Sequence, residues 1–437
     1  MLQPCFVTGP SQRLRILFRM LKLDTDAVFS TGRGYRFAMC SLSSFAPTAA
    51  AAAAAPLPPL ACAAFVTLSS IRNNAQPLVS SQKPTRTMTT NLTPGSLSTV
   101  FSDIEPTVQE EASPVASIAY TADFVTAFDY LRTCLRTDER SDRTLALTGL
   151  CLRLNPANYT VWHYRRRILA TLQRKSGCDS AAGEEKLPAL DTDVLTSELQ
   201  LASSLGGANP KNYQVWYHRR ALLEPILTHD STEANEESAV STAKDELEYI
   251  STVLSNDSKN YHAWSSRQHI LRTLSNTELW ESDLAYTDTL IAEDVRNNSA
   301  WNHRWFVCHR GTRVPCAPDA AAQECDYALT KAEIDPHNES PWIYLLGYIK
   351  EQVRSEADGN SDLVARMVQE SKRLRETVAD TTCACCDSTR IELLDMVGGE
   401  EARNEAAALA NQLGTVDDTI RAKFWARREG QLKAAQC

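Results

Sequence analysis

Two sets of side chains in this sequence have the types and spacing to do chemistry. The first lies in polar segments that recur along the chain: Asn155-Pro-Ala-Asn158-Tyr-Thr-Val-Trp162-His-Tyr-Arg165, Asn209-Pro-Lys-Asn212-Tyr-Gln-Val-Trp216-Tyr-His-Arg219, Asp257-Ser-Lys-Asn260-Tyr-His-Ala-Trp264-Ser-Ser-Arg267, Asp294-Val-Arg-Asn297-Asn-Ser-Ala-Trp301-Asn-His-Arg304 and Asp335-Pro-His-Asn338-Glu-Ser-Pro-Trp342. Their variable positions hold Tyr159, Lys211, Tyr213, Gln214, Lys259, Tyr261 and His262. Type and position alone leave two readings open for each. Tyr159, Tyr213 and Tyr261 recur after an Asn, as packing residues of a repeat would. Lys211 and Lys259 share one place in consecutive segments, as solvated lysines would. Gln214 and His262 fill a position held elsewhere by Thr160, Ser299 and Ser340, and variation in an otherwise fixed segment points toward function. His163, His218 and His303 neighbour the tryptophans and read as core or interface residues.

The second set is the thiols. Thirteen cysteines are scattered through the chain without the spacing of a small secreted domain, which argues for a reducing compartment and for cysteines as small apolar packing residues. Cys383, Cys385 and Cys386 form the only cluster. They lack a second Cys/His pair at metal-ligand spacing, so they read as core or loop thiols and not as a zinc site.

The elements that position these residues are helices. From about Ser117 apolar residues recur at three-to-four spacing, as in Leu145, Leu147, Leu150 and Leu152, with almost no alternating strand pattern. The shared frame is Asn/Asp, two residues, Asn, three residues, Trp, two residues, Arg; only the fifth copy departs, with Leu345 in the Arg position and Pro341 before its Trp. The tryptophans stand 54, 48, 37 and 41 residues apart, so the unit is a helix pair, with polar loop insertions at roughly Arg174 to Pro188 and His229 to Ser238. The leading Asn/Asp is placed to cap the end of one helix and the second Asn to cap the start of the next. The Trp reads as a wedge between adjacent pairs, since one indole buries on the order of 200 Å². The Arg on the same face could bond carbonyls or carboxylates of the turn. A helix pair cannot cover its own apolar face. The expected fold is therefore all-α, an alpha-alpha superhelix: a right-handed solenoid of about seven helix pairs with every turn on one rim. Weaker units run over Tyr120 to Arg136, Leu363 to Val378, Ile391 to Val397, Glu400 to Leu413 and Asp417 to Leu432, and the chain closes without a strand-rich or leucine-repeat extension.

Composition sets the boundaries. The chain of 437 residues is 43% hydrophobic and 23% charged, within the globular range. Residues 1–100 carry nine Lys/Arg against Asp24 and Asp26, and the remainder has a net charge of −16, which repels phosphate backbones and argues against nucleic-acid binding. Residues 1–114 hold a run from Ala49 to Ala55, then Pro56, Pro58 and Pro59 and a Ser/Thr/Pro-rich stretch. This segment is expected to add nothing to the core. It reads as a transit-like peptide, a disordered tail, or an over-extended start with the initiator at Met88. The repeat domain is placed at 115–437, and no part of it is apolar enough to span a membrane.

The individual turns resemble those of the prenyltransferase alpha-subunit repeat family, and in particular the alpha subunit shared by protein farnesyltransferase and type I protein geranylgeranyltransferase. The resemblance runs over about Tyr120 to Leu432 and includes Asp326 to Trp342 and the segment Asp417 to Trp425. It implies a partner beta subunit that holds the catalytic zinc and most of the isoprenoid pocket, with Mg2+ accompanying the diphosphate and no metal on this chain. The implied reaction moves a farnesyl or geranylgeranyl group from its diphosphate to the cysteine of a C-terminal Cys-aliphatic-aliphatic-X sequence on proteins such as small GTPases, in the cytoplasm. By the same resemblance Lys211 reaches the departing diphosphate, and Tyr213, Tyr261 and His262 line it. Gln214 binds the peptide carboxylate and Tyr159 lines the peptide groove. Two other readings share the repeat pattern: the alpha subunit of Rab geranylgeranyltransferase, and a non-catalytic peptide-binding scaffold. The Lys-Asn-Tyr-Gln and Lys-Asn-Tyr-His turns fit the first family better than the Rab type. The scaffold would need a uniform period of about 34 residues.

Overall fold

Each recurring segment folds as a tight turn because its two Asn/Asp side chains take up backbone amides that a helix end leaves without partners. In the second turn Asn209 Oδ1 accepts from Lys211 N at 3.2 Å, Asn209 O from Asn212 N at 3.1 Å, and Asn212 Oδ1 from Gln214 N at 2.9 Å. Asp257 and Asn260 repeat the set in the third turn and Asp294 and Asn297 in the fourth. The indole then closes each turn from the helix side. Trp162, Trp216, Trp264, Trp301 and Trp342 donate Nε1 to the carbonyls of Pro156, Pro210, Ser258, Val295 and Pro336, at 2.8 to 2.9 Å.

The computed structural model describes residues 92–109, 118–175, 187–228, 233–311, 318–355, 361–378 and 382–434. Among these the regular structure is helical, with no strand. The helices are α1 (Ala122–Thr137), α2 (Asp142–Leu154), α3 (Tyr159–Lys175), α4 (Thr192–Ala208), α5 (Tyr213–Leu227), α6 (Glu233–Asn256), α7 (Tyr261–Leu274), α8 (Thr277–Glu293), α9 (Asn298–Arg310), α10 (Pro318–Ile334), α11 (Glu339–Ser355), α12 (Ser361–Thr377), α13 (Ala384–Val397), α14 (Gly399–Gln412) and α15 (Ala422–Ala434). From α2 onward they form the seven expected pairs of an alpha-alpha superhelix, and α1 packs on α2 as an additional helix. Pro341 sits in the first turn of α11, where an amide has no intrahelical partner to lose.

Three interactions hold neighbouring pairs together. The capping Asn of one turn donates to a carbonyl of the turn before it: Asn212 Nδ2 to Pro156 O at 2.8 Å, Asn260 Nδ2 to Pro210 O at 3.1 Å, and Asn338 Nδ2 to Val295 O at 2.7 Å. The buried tryptophans wedge as expected. Trp162 packs on His218, Trp264 on His303 and Trp301 on Tyr344, each on the next pair, with ring centroids 4.5, 4.8 and 5.2 Å apart. The repeat arginines supply the third link, and here the expectation is corrected. They reach past the turn to a buried carboxylate on the first helix of the following pair: Arg165 Nη2 to Glu198 at 2.6 Å, Arg219 Nε to Glu246 at 2.8 Å, Arg267 Nε to Asp283 at 2.6 Å and Arg304 Nε to Glu324 at 2.8 Å. The reason is reach. From the Trp face of the second helix an arginine points into the seam between pairs, and its remaining N–H groups bond the preceding helix, as Arg165 does with Leu145 O and Thr148.

The structure corrects the sequence reading at three further places, and it finds one of the three tryptophan-neighbouring histidines on the surface. Leu92, Leu97 and Phe101 lie in the segment expected to add nothing to the core, yet they are buried against α1 and α2. Phe101 packs on Tyr130, and Arg143 spans its ring and pairs with Asp103. The rest of residues 1–91 lies outside the described residues. The insertion at His229 to Ser238 is not all loop, because α6 begins at Glu233. His163 is exposed, unlike the buried His218 and His303. The cysteine cluster hides a sixth turn. Cys383 takes the capping Asn position and donates to Pro336 O at 3.3 Å, and Arg390 takes the Arg position and pairs with Glu405 on α14. A seventh turn follows, where Trp425 Nε1 donates to Asp418 at 2.7 Å.

Candidate functional site

The turn-to-turn hydrogen bonds place the variable residues of the first three turns side by side on one rim. Tyr159, Tyr213 and Tyr261 begin α3, α5 and α7, and each is about two-thirds exposed (70%, 67% and 67%), so the packing reading of these tyrosines is excluded. Between the second and third turns the groups converge. The Tyr213 ring stands edge-on to His262 with centroids 4.1 Å apart, and Tyr261 stands 5.6 Å from the same imidazole. Lys211, its side chain 72% exposed, holds its Nζ 3.3 Å from Asp257 Oδ2. Gln214 follows Tyr213 at the half-buried base of the turn, its backbone N–H donated to Asn212 Oδ1. Tyr159 stands one turn upstream, on the strip joined by the Asn212 to Pro156 bond.

Electrostatics suits this strip to an anion. Burial lowers the His262 imidazole below its ordinary value, so at neutral pH it is an uncharged ring with one N–H to donate. Beside it are two solvent-facing phenols, and the Lys211 ammonium stands at Asp257 on the same rim. These are donors or donor/acceptors on an exposed strip. Asp257 is the member that sequence reasoning missed. Its Oδ1 accepts from Lys259 N at 3.2 Å while Oδ2 faces Lys211. The signal was present as a cation at the third position of one turn and an acid at the first position of the next, and Arg296 and Asp335 repeat it. The equivalent lysine, Lys259, is exposed one turn on from Lys211.

Two other features lie away from the rim. A cleft between α5 and α7, lined by Trp216, Arg220, Leu223, His269 and Ile270, holds His269, pushed down to about 4 by burial and by the Arg220 charge. Among the described residues no group of three or more His, Cys, Asp or Glu side chains converges to hold a metal ion. The described residues therefore do not fit a zinc site. No helix among the described residues is long and apolar enough to cross a membrane.

This architecture is the one shared by protein prenyltransferase alpha subunits. The family model "Protein prenyltransferase alpha subunit repeat" matches residues 141–172, 195–225, 243–274 and 280–311, which are four of the helix pairs described above. The chain is also similar in fold to a solved structure of Candida albicans protein geranylgeranyltransferase-I complexed with GGPP, with a TM-score of 0.55 at 23% identity, covering 76% of this chain and 98% of that one. The protein farnesyltransferase/geranylgeranyltransferase type-1 subunit alpha of Dictyostelium discoideum is 35% identical over 253 residues, 58% of this chain and 70% of that relative. The subunit of the same name from Solanum lycopersicum is 48% identical over 73 residues, a match that spans only 21% of its length. The chain belongs to the family of protein farnesyltransferase/geranylgeranyltransferase type-1 alpha subunits.

Proposed function

We propose that this chain is the alpha subunit of a heterodimeric, zinc-dependent protein prenyltransferase that acts with a beta subunit. The enzyme transfers farnesyl or geranylgeranyl from the isoprenoid diphosphate to the cysteine of a C-terminal Cys-aliphatic-aliphatic-X sequence, on proteins such as small GTPases and in the cytoplasm. The observation that carries the reading is an exposed strip on which Tyr213 and Tyr261 pack against His262, with Lys211 held at Asp257 where the second and third turns meet. Negative charge grows on the bridging oxygen as the bond from carbon to oxygen breaks, and a preplaced ammonium with neutral N–H and O–H donors stabilises that charge. Lys211 leaves Asp257 for the diphosphate, an exchange made easy because an exposed ion pair is worth only ~0–1 kcal/mol. His262, Tyr213 and Tyr261 donate to the remaining oxygens. Gln214 offers an amide N–H to the terminal carboxylate of the protein substrate, and Tyr159 lines the groove in which that peptide lies. The catalytic zinc belongs to the beta subunit, and Mg2+ accompanies the diphosphate.

The wording of the turns favours this reading over the Rab-type alpha subunit, because Lys211-Asn-Tyr-Gln214 and Lys259-Asn-Tyr-His262 occur in consecutive copies. The test is co-expression of the full chain with a farnesyltransferase beta subunit, then zinc-dependent transfer to a peptide of that C-terminal form, for the wild type and Lys211→Ala. Lys211 is exposed and its loss disturbs no buried contact, so the heterodimer stays intact while transfer falls by an order of magnitude or more. If no heterodimer forms and no transfer is seen, the reading fails and the Rab-type or scaffold alternative takes its place. If the heterodimer forms and Lys211→Ala is as active as the wild type, the family role of Lys211 fails while the subunit assignment stands.

A further inference from the structure

The sixth turn differs from the five before it at the Trp position, held by Asp387, and at the capping position, where the difference is chemical. Where those turns cap the second helix with Asn, this one uses Cys383, and Cys386 stands three residues on in the first turn of α13. The run Cys383-Ala-Cys385-Cys386 is therefore a Cys-x-x-Cys pair at a helix N-terminus. Residues at this separation on a helix have Cα atoms about 5 Å apart, within the span a disulfide bridges. Both thiols are fully buried. Cys383 Sγ donates to Pro336 O at 3.3 Å and Cys386 Sγ donates to Ser371 O at 3.3 Å, and each side chain acts on the other as a near neighbour. Cys385 is different, half-exposed with its Sγ on His337 O at 3.3 Å.

The pair is also electronically unequal. The neighbouring Cys386 side chain lowers the Cys383 thiol below its ordinary value against the opposing effect of burial, and the nearby His337 adds to the lowering. The helix N-terminus favours the same thiolate. The Cys383 side chain and burial push Cys386 up in turn, and burial raises Cys385 to about 11. One sulfur is thus the nucleophile and its neighbour the resolving thiol.

We propose that Cys383 and Cys386 are a redox-active dithiol, a modification site at which hydrogen peroxide converts the two buried thiols to a disulfide. The Cys383 thiolate attacks one peroxide oxygen, the O–O bond breaks, and the departing oxygen takes a proton and leaves as water. The resulting sulfenic acid is attacked by the Cys386 sulfur; the S–O bond breaks, the S–S bond forms, and hydroxide leaves with the Cys386 proton as a second water. Two thiols and one peroxide become one disulfide and two waters. Peroxide suits the site by size, since it can enter through the transient opening of one helix end, where a bulky disulfide reagent would meet Cys385 first. Oxidation removes the hydrogen that Cys383 donates to Pro336 O, so the bond that stitches turn six to turn five is the one that reports the redox state. The inference stands apart from prenyl transfer.

The test uses the reduced full chain treated with hydrogen peroxide, quenched with an alkylating agent and digested with trypsin, which places all three thiols in the peptide 376–390. The expected product is this peptide two hydrogens lighter, with Cys385 alone alkylated, and dithiothreitol reverses it. Cys385→Ser keeps the disulfide, whereas Cys386→Ala loses it and leaves a sulfenic acid at Cys383 that dimedone traps. Three alkylated cysteines after peroxide, a first adduct on Cys385, or a disulfide lost in Cys385→Ser would overturn the proposal. The wild type and Cys385→Ser decide the matter even if Cys386→Ala folds poorly.

Discussion

Glu198→Ala removes the acid that joins the first two tryptophan-bearing pairs. Glu198 accepts from Arg165 Nε at 2.7 Å and Nη2 at 2.6 Å and from His218 Nε2 at 3.3 Å, and all three side chains are buried. Burial acts to raise this carboxyl, but the Arg165 charge and the His218 bond outweigh it and hold it at about 2. Relative to the ordinary 4.5, that depression corresponds to about 3 kcal/mol of stability at neutral pH. Removing one partner of a buried ion pair costs ~3–5 kcal/mol, because the other charge is left uncompensated, and the two estimates agree. Glu198→Ala should therefore lower the free energy of opening at the α3–α5 junction by that amount, raising amide exchange there by ~10²–10⁴-fold at neutral pH. The sign of the pH dependence follows from the lowered folded-state value. The contribution is present above the unfolded carboxyl range and is lost as pH falls through about 2, so the wild type weakens between roughly pH 5 and 2 and the variant weakens less. The measurement is hydrogen exchange across α3–α5 with urea denaturation followed by circular dichroism. A loss below ~1 kcal/mol would show that Leu145 O, Thr148 and water satisfy Arg165 unaided, and the buried-pair argument would fail.

Two further perturbations separate structure from chemistry. Asn212→Ala removes both an N-cap and the turn-to-turn bond to Pro156 O, and should cost ~1–3 kcal/mol in urea denaturation, more than a cap in an isolated helix. Gly347→Ala on α11 should destabilise by ~1–3 kcal/mol in a thermal melt, since a Cβ there would stand 2.6 and 2.7 Å from atoms of the Trp305 ring, which the surrounding aromatic cluster holds in place. Retention of the wild-type melting temperature would mean that the Trp305 ring moves aside freely.

Much of the fold could be read from the chain because it is local chemistry repeated. The two Asn/Asp positions of each turn bond backbone amides within three residues, so their meaning is contained in the segment itself. Other links are non-local but still periodic. Glu198, Glu246, Asp283 and Glu324 each stand eighteen residues ahead of the tryptophan of their own pair, a regularity that could have announced the arginine partners. The sixth turn was harder to see, because Cys383 replaces Asn and Asp387 replaces Trp, and only the Cys383 to Pro336 bond identifies its role.

The rim chemistry divides differently. By itself the sequence determined the helix pairs, their turns and the list of residues that the turns present, because each follows from capping and periodicity within about forty residues. It could not separate Lys211 from Lys259 or exposed tyrosines from packed ones, since those pairs share local sequence. Tertiary stacking shows the three tyrosines exposed and gives Lys211 an acidic partner. By bringing the third turn against the second, it set Asp257 beside Lys211 and His262 beside Tyr213, contacts between residues more than forty positions apart. It also drew Leu97 and Phe101 into the core, because the apolar surface of α1 and α2 at the open end of the stack has no preceding pair to cover it and takes the nearest apolar segment instead.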